Sequence, residues 1–398
     1  MTPAPDALGW IAQRCDRLTA WLDRTFSSVE QRVGAWGACL VFGVALLAVA
    51  AIYTAPSNAL MNHGELYGAF ASDPFHESLT SPIRLRPLSP WIAHFLFMRG
   101  QAFMAFPLLA AALFLAVVVR IARKNGLGGG EAILVGSLVA LSSPVLFVLH
   151  FAGYVDTVSY LFIALAILWV GSDIAVAVCM CLALLNHDAN LFVLPWLVFH
   201  AARHRTGWMR RARLGIALAI AAALVALVRH SIEVRAPVKW APSWYLNAAY
   251  LSENALLNVR GVWLGAFMAF KLLWFIPLLA GLELWLEKKR VELVDVALSV
   301  FCGLSTLIIT SDESRLPALA FPAVVLGALV LRRRVAPGPR FGRWITALLF
   351  VNLLLPQYYV GQSKPIVFYP TPVALALKAC GYDPWDDWNG MRVMQITN

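Results

Sequence analysis

Residues 33–53 read VGAWGACLVFGVALLAVAAIY and contain no charged side chain. A helix of roughly 20 apolar residues crosses the hydrocarbon core of a bilayer, so this stretch is long enough to span a membrane. The rest of the chain follows the same pattern, because 60% of its 398 residues are hydrophobic and only 14% are charged. The sequence therefore predicts an all-α polytopic membrane protein.

Apolar runs of similar length recur along the chain and predict about eleven transmembrane helices, within a range of roughly 9 to 13. Together they form a predicted transmembrane domain over residues 33–360. The predicted spans lie near residues 33–53, 101–121, 131–150, 154–171, 173–186, 189–202, 214–229, 261–286, 293–310, 317–331 and 344–360.

Lys and Arg residues indicate the orientation, because the cytoplasmic loops of membrane proteins are enriched in them. With the N-terminus inside, 20 of the 32 Lys and Arg residues lie in inner segments and 11 lie in outer segments. We therefore predict a cytoplasmic N-terminus and an outward-facing C-terminus. The net charge of +10 reflects this topology and contact with anionic membrane lipids, so nucleic acid is not an expected partner.

Four regions outside the spans have their own predicted character. Apolar residues and arginines alternate at helical spacing in residues 1–32, which indicates a cytoplasmic amphipathic helix on the membrane surface. The long first outer loop, residues 54–100, contains a predicted interfacial helix that leads into the second span. A second outer loop covers residues 230–260, and residues 361–398 form an outward-facing tail.

The first outer loop carries candidate catalytic and phosphate-binding groups. Glu65 and Asp73 are carboxylates that can act as general bases toward a hydroxyl group. Arg84 and Arg86 offer planar guanidinium donors that match phosphate oxygens. The alternative is that the carboxylates are solvated and the arginines contact lipid head groups.

Polar residues also interrupt three apolar segments at positions that the predicted topology places on the same outer face. Charged groups at a membrane boundary are costly, so we treat these residues as functional candidates. The candidate substrate-binding residues of these segments are Asp156, His187, Asp188, Asp312, Glu313 and Arg315.

Each of these clusters also has a purely structural interpretation. Asp156 can cap the N-terminus of the fourth span, because a short acceptor side chain suits that position. The segment around His187 can be a polar turn between two spans. Arg315 opens a helix, where a cation opposes the helix dipole unless an anion lies nearby. That anion is either Asp312 or a lipid phosphate.

The sequence predicts no metal site and no cofactor. The histidines are scattered and show no ligand spacing, although a divalent cation bound by outward carboxylates remains an alternative. No phosphate-binding loop or dinucleotide fingerprint is present. The six cysteines show neither a disulfide framework nor a zinc spacing.

Short motifs along most of residues 33–360 resemble those of the GT-C superfamily, the integral membrane glycosyltransferases that use polyprenyl-phosphate sugars. They are Gly64-Glu65-Leu66-Tyr67 and Ser72-Asp73-Pro74, the Arg-Pro-Leu-Ser-Pro-Trp stretch from Arg86 to Trp91, Asn186-His187-Asp188 before Leu194-Pro195-Trp196, and Asp312 to Arg315 before Ala320-Phe321-Pro322. Members often carry an Asp or a paired acidic motif soon after the first span, whereas here Glu65 stands alone and Asp73 and Glu77 are spaced.

The resemblance implies an inverting glycosyltransferase. Glu65 or Asp73 would deprotonate a hydroxyl of a lipid or glycan acceptor, which attacks the sugar of a polyprenyl-phosphate donor. Arg84, Arg86 or Arg315 would stabilise the departing phosphate, aided by His187. The active face would point toward the periplasm of a bacterial inner membrane.

Two other functional classes remain open from the sequence. A transporter or flippase of a lipid-linked or anionic substrate also uses charged residues within a membrane domain. The chain shows no convincing internal repeat, and its polar clusters lie near one surface, which favours an enzyme. A non-catalytic assembly factor is the third alternative, and it predicts that the polar clusters do not converge.

Overall fold

The structure is a computed structural model of the protein, and it describes residues 7–74, 82–235, 252, 261–308, 312, 314–334, 339–361 and 364–382. Among the predicted features, Glu313, most of the outer loop 230–260 and residues 383–398 of the tail lie outside the described residues.

The described chain is predominantly α-helical, with one short antiparallel hairpin near its end. In chain order the helices are α1 (Ala7–Tyr53), α2 (His63–Ser72), α3 (Leu88–Phe95), α4 (Ala105–Lys124), α5 (Gly129–Ala140), α6 (Ser143–His150), α7 (Asp156–Leu168), α8 (Asp173–Asn186), α9 (Asn190–Arg203), α10 (Trp208–Arg235), α11 (Val262–Phe270), α12 (Phe275–Leu286), α13 (Arg290–Ser305), α14 (Phe321–Arg334), α15 (Pro339–Leu354) and α16 (Thr371–Ala379). The strands are β1 (Gln357–Gly361) and β2 (Lys364–Phe368), paired with Tyr359 opposite Ile366.

Within the described residues, six helical segments are long and apolar enough to cross a membrane, and the bent pair α5–α6 is a seventh candidate. The helices α7 and α8 are apolar but shorter, with 13 and 14 residues. The chain is therefore a helical polytopic membrane protein. The count of eleven spans and the orientation remain predictions. The six segments are Gly9–Tyr53, Gly100–Lys124, Trp208–Val234, Val262–Leu286, Arg290–Ile308 and Leu316–Arg334.

The long helix α1 contains a break at Gly34, where φ is 75°. Glycine adopts this left-handed backbone conformation without the steric cost that a Cβ imposes. The break lies next to residue 32, where the predicted amphipathic segment ends and the first predicted span begins. Trp10 and Trp21, on the segment before the break, are exposed.

Two predicted spans are broken in the structure. The span predicted at 131–150 consists of α5 and α6, which meet at an angle of 53°. The span predicted at 261–286 consists of α11 and α12, separated by a short 3₁₀ helix that begins at Lys271 with φ 49°. Apolar periodicity does not reveal either break, because the residues on both sides are equally apolar.

The last predicted span, residues 344–360, is wrong in its second part. Helix α15 ends at Leu354, and strand β1 begins at Gln357. Pro356 cannot continue a helix, and the Tyr358-Tyr359-Val360 run has the aromatic and β-branched character that favours a strand.

Helices α7 and α9 each have polar residues near both of their ends. Helices α7 and α9 begin beside Asp156 and His187, and they end beside Leu168 and Arg203. Helix α7 has 13 residues, which correspond to a length of about 20 Å. The two ends are therefore separated by most of the thickness of a bilayer core.

Candidate functional site

The side chain of Arg315 lies at the centre of a buried polar cluster. Its Nε donates to both carboxylate oxygens of Asp156 at 3.1 Å, and one terminal nitrogen donates to Asp312 at 2.7 Å. Its guanidinium carbon Cζ lies over the rings of Tyr154 and Phe147, 4.8 Å and 5.4 Å from their centres. The arginine is thus bound by two carboxylates and covered by two aromatic rings.

Three separate elements fix the backbone next to Arg315. The hydroxyl of Ser143 on α6 donates to the carbonyl of Ser314 at 2.9 Å. The amide of Ser314 donates to the carbonyl of Val360 on β1 at 3.1 Å. The phenol of Tyr160 on α7 donates to the carbonyl of Arg315 at 3.4 Å. The hairpin that replaces the end of the predicted last span therefore helps to position the site.

The described contacts bear on two of the alternatives left open by the sequence. Asp156 does not cap α7, because Val155 holds the capping position and the Asp156 carboxylate faces Arg315. Asp312 is an anion beside Arg315, as the structural interpretation of that cluster predicted. Pro317 lies in the first turn of the following 3₁₀ helix, Leu316–Ala320.

His187 lies between Arg315 and the start of α9. Its Nε2 is 3.1 Å from a terminal nitrogen of Arg315, and its Nδ1 is 3.1 Å from the amide nitrogen of Ala189. Burial, together with the charges of Arg86 and Arg315, holds the pKa of His187 well below its ordinary value. A neutral imidazole has only one acceptor nitrogen, so only one of these two donors can be satisfied by the ring.

A second ion-pair group adjoins the first. Asp188 lies 3.1 Å from the Nε of Arg86 and 2.5 Å from a terminal nitrogen of Arg229 on α10. The Nε of Arg229 is buried and has no acceptor within the described part of the chain. A terminal nitrogen of Arg86 also lies 3.5 Å from the phenol oxygen of Tyr67 on α2.

Asn186 ties the helices around this group together. Its amide nitrogen donates to the carbonyl of Val155 and to the hydroxyl of Ser159, both at 2.9 Å. Its amide oxygen accepts a short hydrogen bond from the hydroxyl of Ser89 on α3. The segment around His187 is the polar turn that the sequence indicated, and its side chains also build the site.

Helix α2 approaches the cluster through a close backbone contact. A Cβ added to Gly64 would lie 2.2 Å from the carbonyl oxygen of Ala152, and Gly153 itself has φ +93°. This contact places the ring of His63 5.5 Å from that of Tyr154. Burial, then the charge of Arg315, lowers the pKa of His63 to about 4.

The two predicted catalytic carboxylates lie on or beside α2. Glu65 is exposed, and it is two residues from both His63 and Tyr67, so it occupies the opposite face of the helix. Asp73 is exposed at the C-terminal cap of the same helix. Neither residue is among the groups that contact Arg315 or Asp188 in the described contacts.

The structure brings together most of the predicted binding residues. Arg84 is buried in the 3₁₀ helix Pro82–Leu85, two residues before Arg86, and Glu313 lies outside the described residues. We call the converging set the Arg315 cluster. It comprises Arg86, Asp156, His187, Asp188, Arg229, Asp312 and Arg315.

Sequence reasoning missed several residues of this site. Arg229 lay at the boundary of a predicted span, and no local motif distinguished it. Tyr359 donates a short hydrogen bond to Asp312 from a strand that was predicted as a helix. His63 and Tyr154 could have been found, because they flank the motifs that contain Glu65 and Asp156.

The site combines anion-binding donors with carboxylates of different accessibility. The side chains of Asp156, Asp188 and Asp312 are 7%, 17% and 27% exposed, so Asp312 is the most open of the three. Among the described residues, no group of three or more His, Cys, Asp or Glu side chains is arranged to hold a metal ion. The arrangement can bind an anion and accept a proton.

Comparison with known proteins does not identify a family for this chain. Neither a scan against protein-family models nor a search of curated proteins found a match for this chain. The function must therefore be argued from the geometry of the Arg315 cluster and from the motifs in the sequence.

Proposed function

We propose that this protein is a membrane glycosyltransferase that moves a sugar from a polyprenyl-phosphate donor to a lipid-linked or cell-envelope acceptor. The observation that carries the proposal is the convergence of three arginines, three aspartates and a neutral histidine at one end of a membrane helix bundle. In this proposal that end faces the periplasm of a bacterial inner membrane, in line with the distribution of Lys and Arg.

The pair Arg86 and Arg229 is the proposed site of the donor phosphate. Both guanidinium groups lie on the single carboxylate of Asp188, and the buried Nε of Arg229 has no acceptor within the described residues. Guanidinium groups bind phosphate oxygens through paired N–H donors, and burial strengthens that attraction. A phosphate placed here would satisfy the unused donor of Arg229.

Arg315 and His187 are proposed to stabilise the charge that develops on the leaving phosphate. Arg315 is held from three sides, and fixed donors cost little reorganisation as the reaction proceeds. Its partners Asp156 and Asp312 keep it oriented.

The proposed reaction is a single displacement. A carboxylate takes the proton of the acceptor hydroxyl, the acceptor oxygen forms a bond to the anomeric carbon, and the bond from that carbon to the phosphate oxygen breaks. The polyprenyl phosphate leaves with the electron pair, and the configuration at the anomeric carbon inverts. Glu65 or Asp73 is the base that the family resemblance implies. Asp312 is a further candidate, because it is the most exposed carboxylate of the Arg315 cluster.

One observation favours a transporter or flippase as the second candidate. Helices α5 and α6 form a broken span, and the break adjoins the site, because Ser143 contacts the carbonyl of Ser314. Transporters build substrate sites at such discontinuous helices. The charged residues of the Arg315 cluster lie at helix ends, however, which is the arrangement expected for a site open to one face.

Transfer of radiolabelled sugar from a panel of polyprenyl-phosphate sugars to membrane acceptors, by purified protein, tests the proposal. Arg315→Lys should reduce the rate about 100-fold, because a compact ammonium group lacks the planar, extended donor fork with which the guanidinium reaches Asp156, Asp312 and His187. Arg343→Lys is the matched control, since Arg343 forms an exposed ion pair with Asp16 at the other end of the bundle.

The base is identified by a second set of variants in the same assay. Loss of transfer in Glu65→Gln or Asp73→Asn, with Asp312→Asn active, supports the base implied by the family resemblance. The reverse pattern supports Asp312. Movement of the donor lipid across reconstituted vesicles without any sugar transfer overturns the glycosyltransferase proposal in favour of a flippase.

A further inference from the structure

A second charged cavity lies at the end of the bundle opposite to the Arg315 cluster. Its volume is about 220 Å³, and it is enclosed by the C-terminal ends of α4, α7, α9 and α14 and the first turns of α13. We call it the basic cavity. Its charged and titratable lining residues include Lys124, Arg203, His204, Glu292, Asp295 and Arg333.

A buried carboxylate organises one wall of the basic cavity. Asp295 is 1% exposed, and it accepts hydrogen bonds from Trp196 at 3.1 Å and from His200 at 2.9 Å. A terminal nitrogen of Arg203 lies 3.2 Å from the same carboxylate. A buried carboxylate is tolerated when donors satisfy it, so these contacts explain how Asp295 is accommodated and why Arg203 is held at the wall.

Donors remain unused at this wall. The Nε of Arg203 is buried and has no acceptor within the described part of the chain. Lys124 donates to the carbonyl of Leu168 at 2.9 Å, and Arg333 donates to the side-chain oxygen of Asn125 at 2.6 Å. These acceptors are uncharged, and no described carboxylate is within ion-pair distance of Lys124 or Arg333.

The carboxylates that line the cavity already have partners. Asp295 is bound by Arg203 and the other α9 donors, and Glu292 lies 3.9 Å from Arg334, which does not line the cavity. Burial, then the charges of His200 and Arg203, lowers the pKa of His204 to about 4. Among the described residues, the lining cations that have no carboxylate partner are therefore Lys124 and Arg333.

The remaining wall of the cavity is apolar and includes Ile121, Val296 and Val330. Cations beside an apolar surface match an amphiphile that carries an anionic group. We propose that the basic cavity binds a phosphate group, held by Lys124, Arg203 and Arg333, and that an anionic phospholipid of the adjacent leaflet supplies it. This site is separate from the proposed glycosyltransferase site and does not depend on that function.

Native mass spectrometry of the full-length protein with phosphatidylglycerol tests this inference. We expect one lipid to be retained per chain, whereas diacylglycerol with the same acyl chains, which lacks the phosphate, is not retained. The Lys124→Gln, Arg333→Gln double variant should bind about thirtyfold more weakly, since two cations near the membrane surface no longer attract the anionic lipid. Inorganic phosphate is added as a competitor, and its direct binding is measured without lipid.

The control variant is Arg210→Gln, Arg211→Gln, which removes the same charge from exposed positions near the same end. A second variant, Val330→Phe, fills the cavity without changing any charge and should also weaken binding. Binding of inorganic phosphate alone, lost in the cavity variants, supports a phosphate site that takes free phosphate. Equal losses in the control and the cavity variants, equal retention of diacylglycerol, or no binding of either ligand overturns the proposal.

Discussion

Arg315 and Asp156 form a buried ion pair between residues 159 positions apart in the sequence, with the Nε of the arginine 3.1 Å from both carboxylate oxygens. The side chains are only 6% and 7% exposed. An ion pair that is removed from water makes a modest net contribution to stability, but the loss of one partner leaves a buried charge uncompensated. The pair therefore connects α7 to the segment before α14. Substitution of either residue removes a partner that compensates the buried charge of the other.

Asp156→Asn should destabilise the fold, because it removes a carboxylate charge that compensates the buried Arg315. We expect the free energy of unfolding to fall by about 3 kcal/mol, because Asp312 compensates Arg315 only in part. Titration with a denaturing detergent, followed by tryptophan fluorescence, measures the change. Asp16→Asn is the control, because the side chains of the Asp16–Arg343 pair are 31% and 43% exposed, so its loss should destabilise the fold far less. Equal effects of the two substitutions would contradict the role given to burial.

Tyr359→Phe tests the contribution of the hairpin to the site. The substitution removes the hydroxyl that donates to Asp312 and retains the ring, which packs 4.9 Å from the ring of Phe151. Sugar transfer should fall about tenfold, because a hydrogen bond to a charged group contributes roughly 1.5–3 kcal/mol. Tyr358→Phe changes the opposite face of the same strand and should leave transfer within about twofold. A hairpin without influence on the site would give the same rate in both variants.

The sequence predicted much of what converges on the site. Asp156, His187 and Asp312 each follow or precede an apolar segment, and the structure brings all three into contact with Arg315. Asp312 was a predicted partner of Arg315, but the partners of Asp156 and His187 could not be predicted. The contacts of Arg315 with Asp156 and His187 cross 159 and 128 residues, and they depend on how the helices pack.

The failures of the sequence reasoning have specific physical origins. The strand at Tyr359 was hidden because its aromatic and β-branched residues are as apolar as those of the helix before it. Arg229 is the last residue of the predicted span 214–229, where an arginine is expected to reach solvent by extending its side chain. In the structure it turns inward to Asp188. Burial of a cation by a distant partner leaves no local signal.

Gly64→Ala should displace α2 from the site. The added Cβ would meet the carbonyl of Ala152 at 2.2 Å, and backbone atoms cannot move aside as a flexible side chain does. We expect loss of most sugar transfer, with a stability loss of about 1–3 kcal/mol from the forced shift. Gly215→Ala is the control, since nothing lies within 4 Å of its added Cβ, and alanine favours its helix. Full activity of Gly64→Ala would show that α2 does not contribute to catalysis.

Acidic pH should destabilise the protein in part through His63. The pKa of this residue is about 4 in the folded chain and about 6.5 when unfolded, so the unfolded state binds more protons between these values. The folded state is favoured above pH 6.5, and this contribution is lost as the pH falls toward 4. Melting temperatures from pH 7.5 to 4.5 should decline less steeply in His63→Asn than in the unmodified protein.

The matched control for this pH dependence is the exposed His230. His230→Asn should leave the slope of melting temperature against pH unchanged. Both variants should retain a further acid sensitivity, because the pKa of His187 is also lowered by burial and by Arg86 and Arg315. A His63→Asn slope identical to that of the unmodified protein would show that His63 is protonated without cost in the folded state.

Lys271 separates the enzyme and transporter hypotheses, because it is a charged residue at the interruption between α11 and α12. Its ammonium group donates to the carbonyls of Asn352 and Leu355 at 2.9 and 3.2 Å and to the phenol of Tyr53 at 3.3 Å. All three of its ammonium hydrogens therefore have acceptors. This is the arrangement of a structural lysine that binds free carbonyl groups at the C-terminus of α15. Lys271→Met should lower the free energy of unfolding by about 2–3 kcal/mol.

A structural lysine should leave the chemistry of the site intact. Sugar transfer by Lys271→Met, measured well below its lowered melting temperature, should remain within about threefold of the unmodified rate, since the Arg315 cluster makes no described contact with Lys271. Lys289→Met, at an exposed position, should change neither stability nor rate. A Lys271→Met variant that keeps its stability but loses movement of donor lipid across vesicles would instead place the lysine on a transport path, and it would favour the flippase.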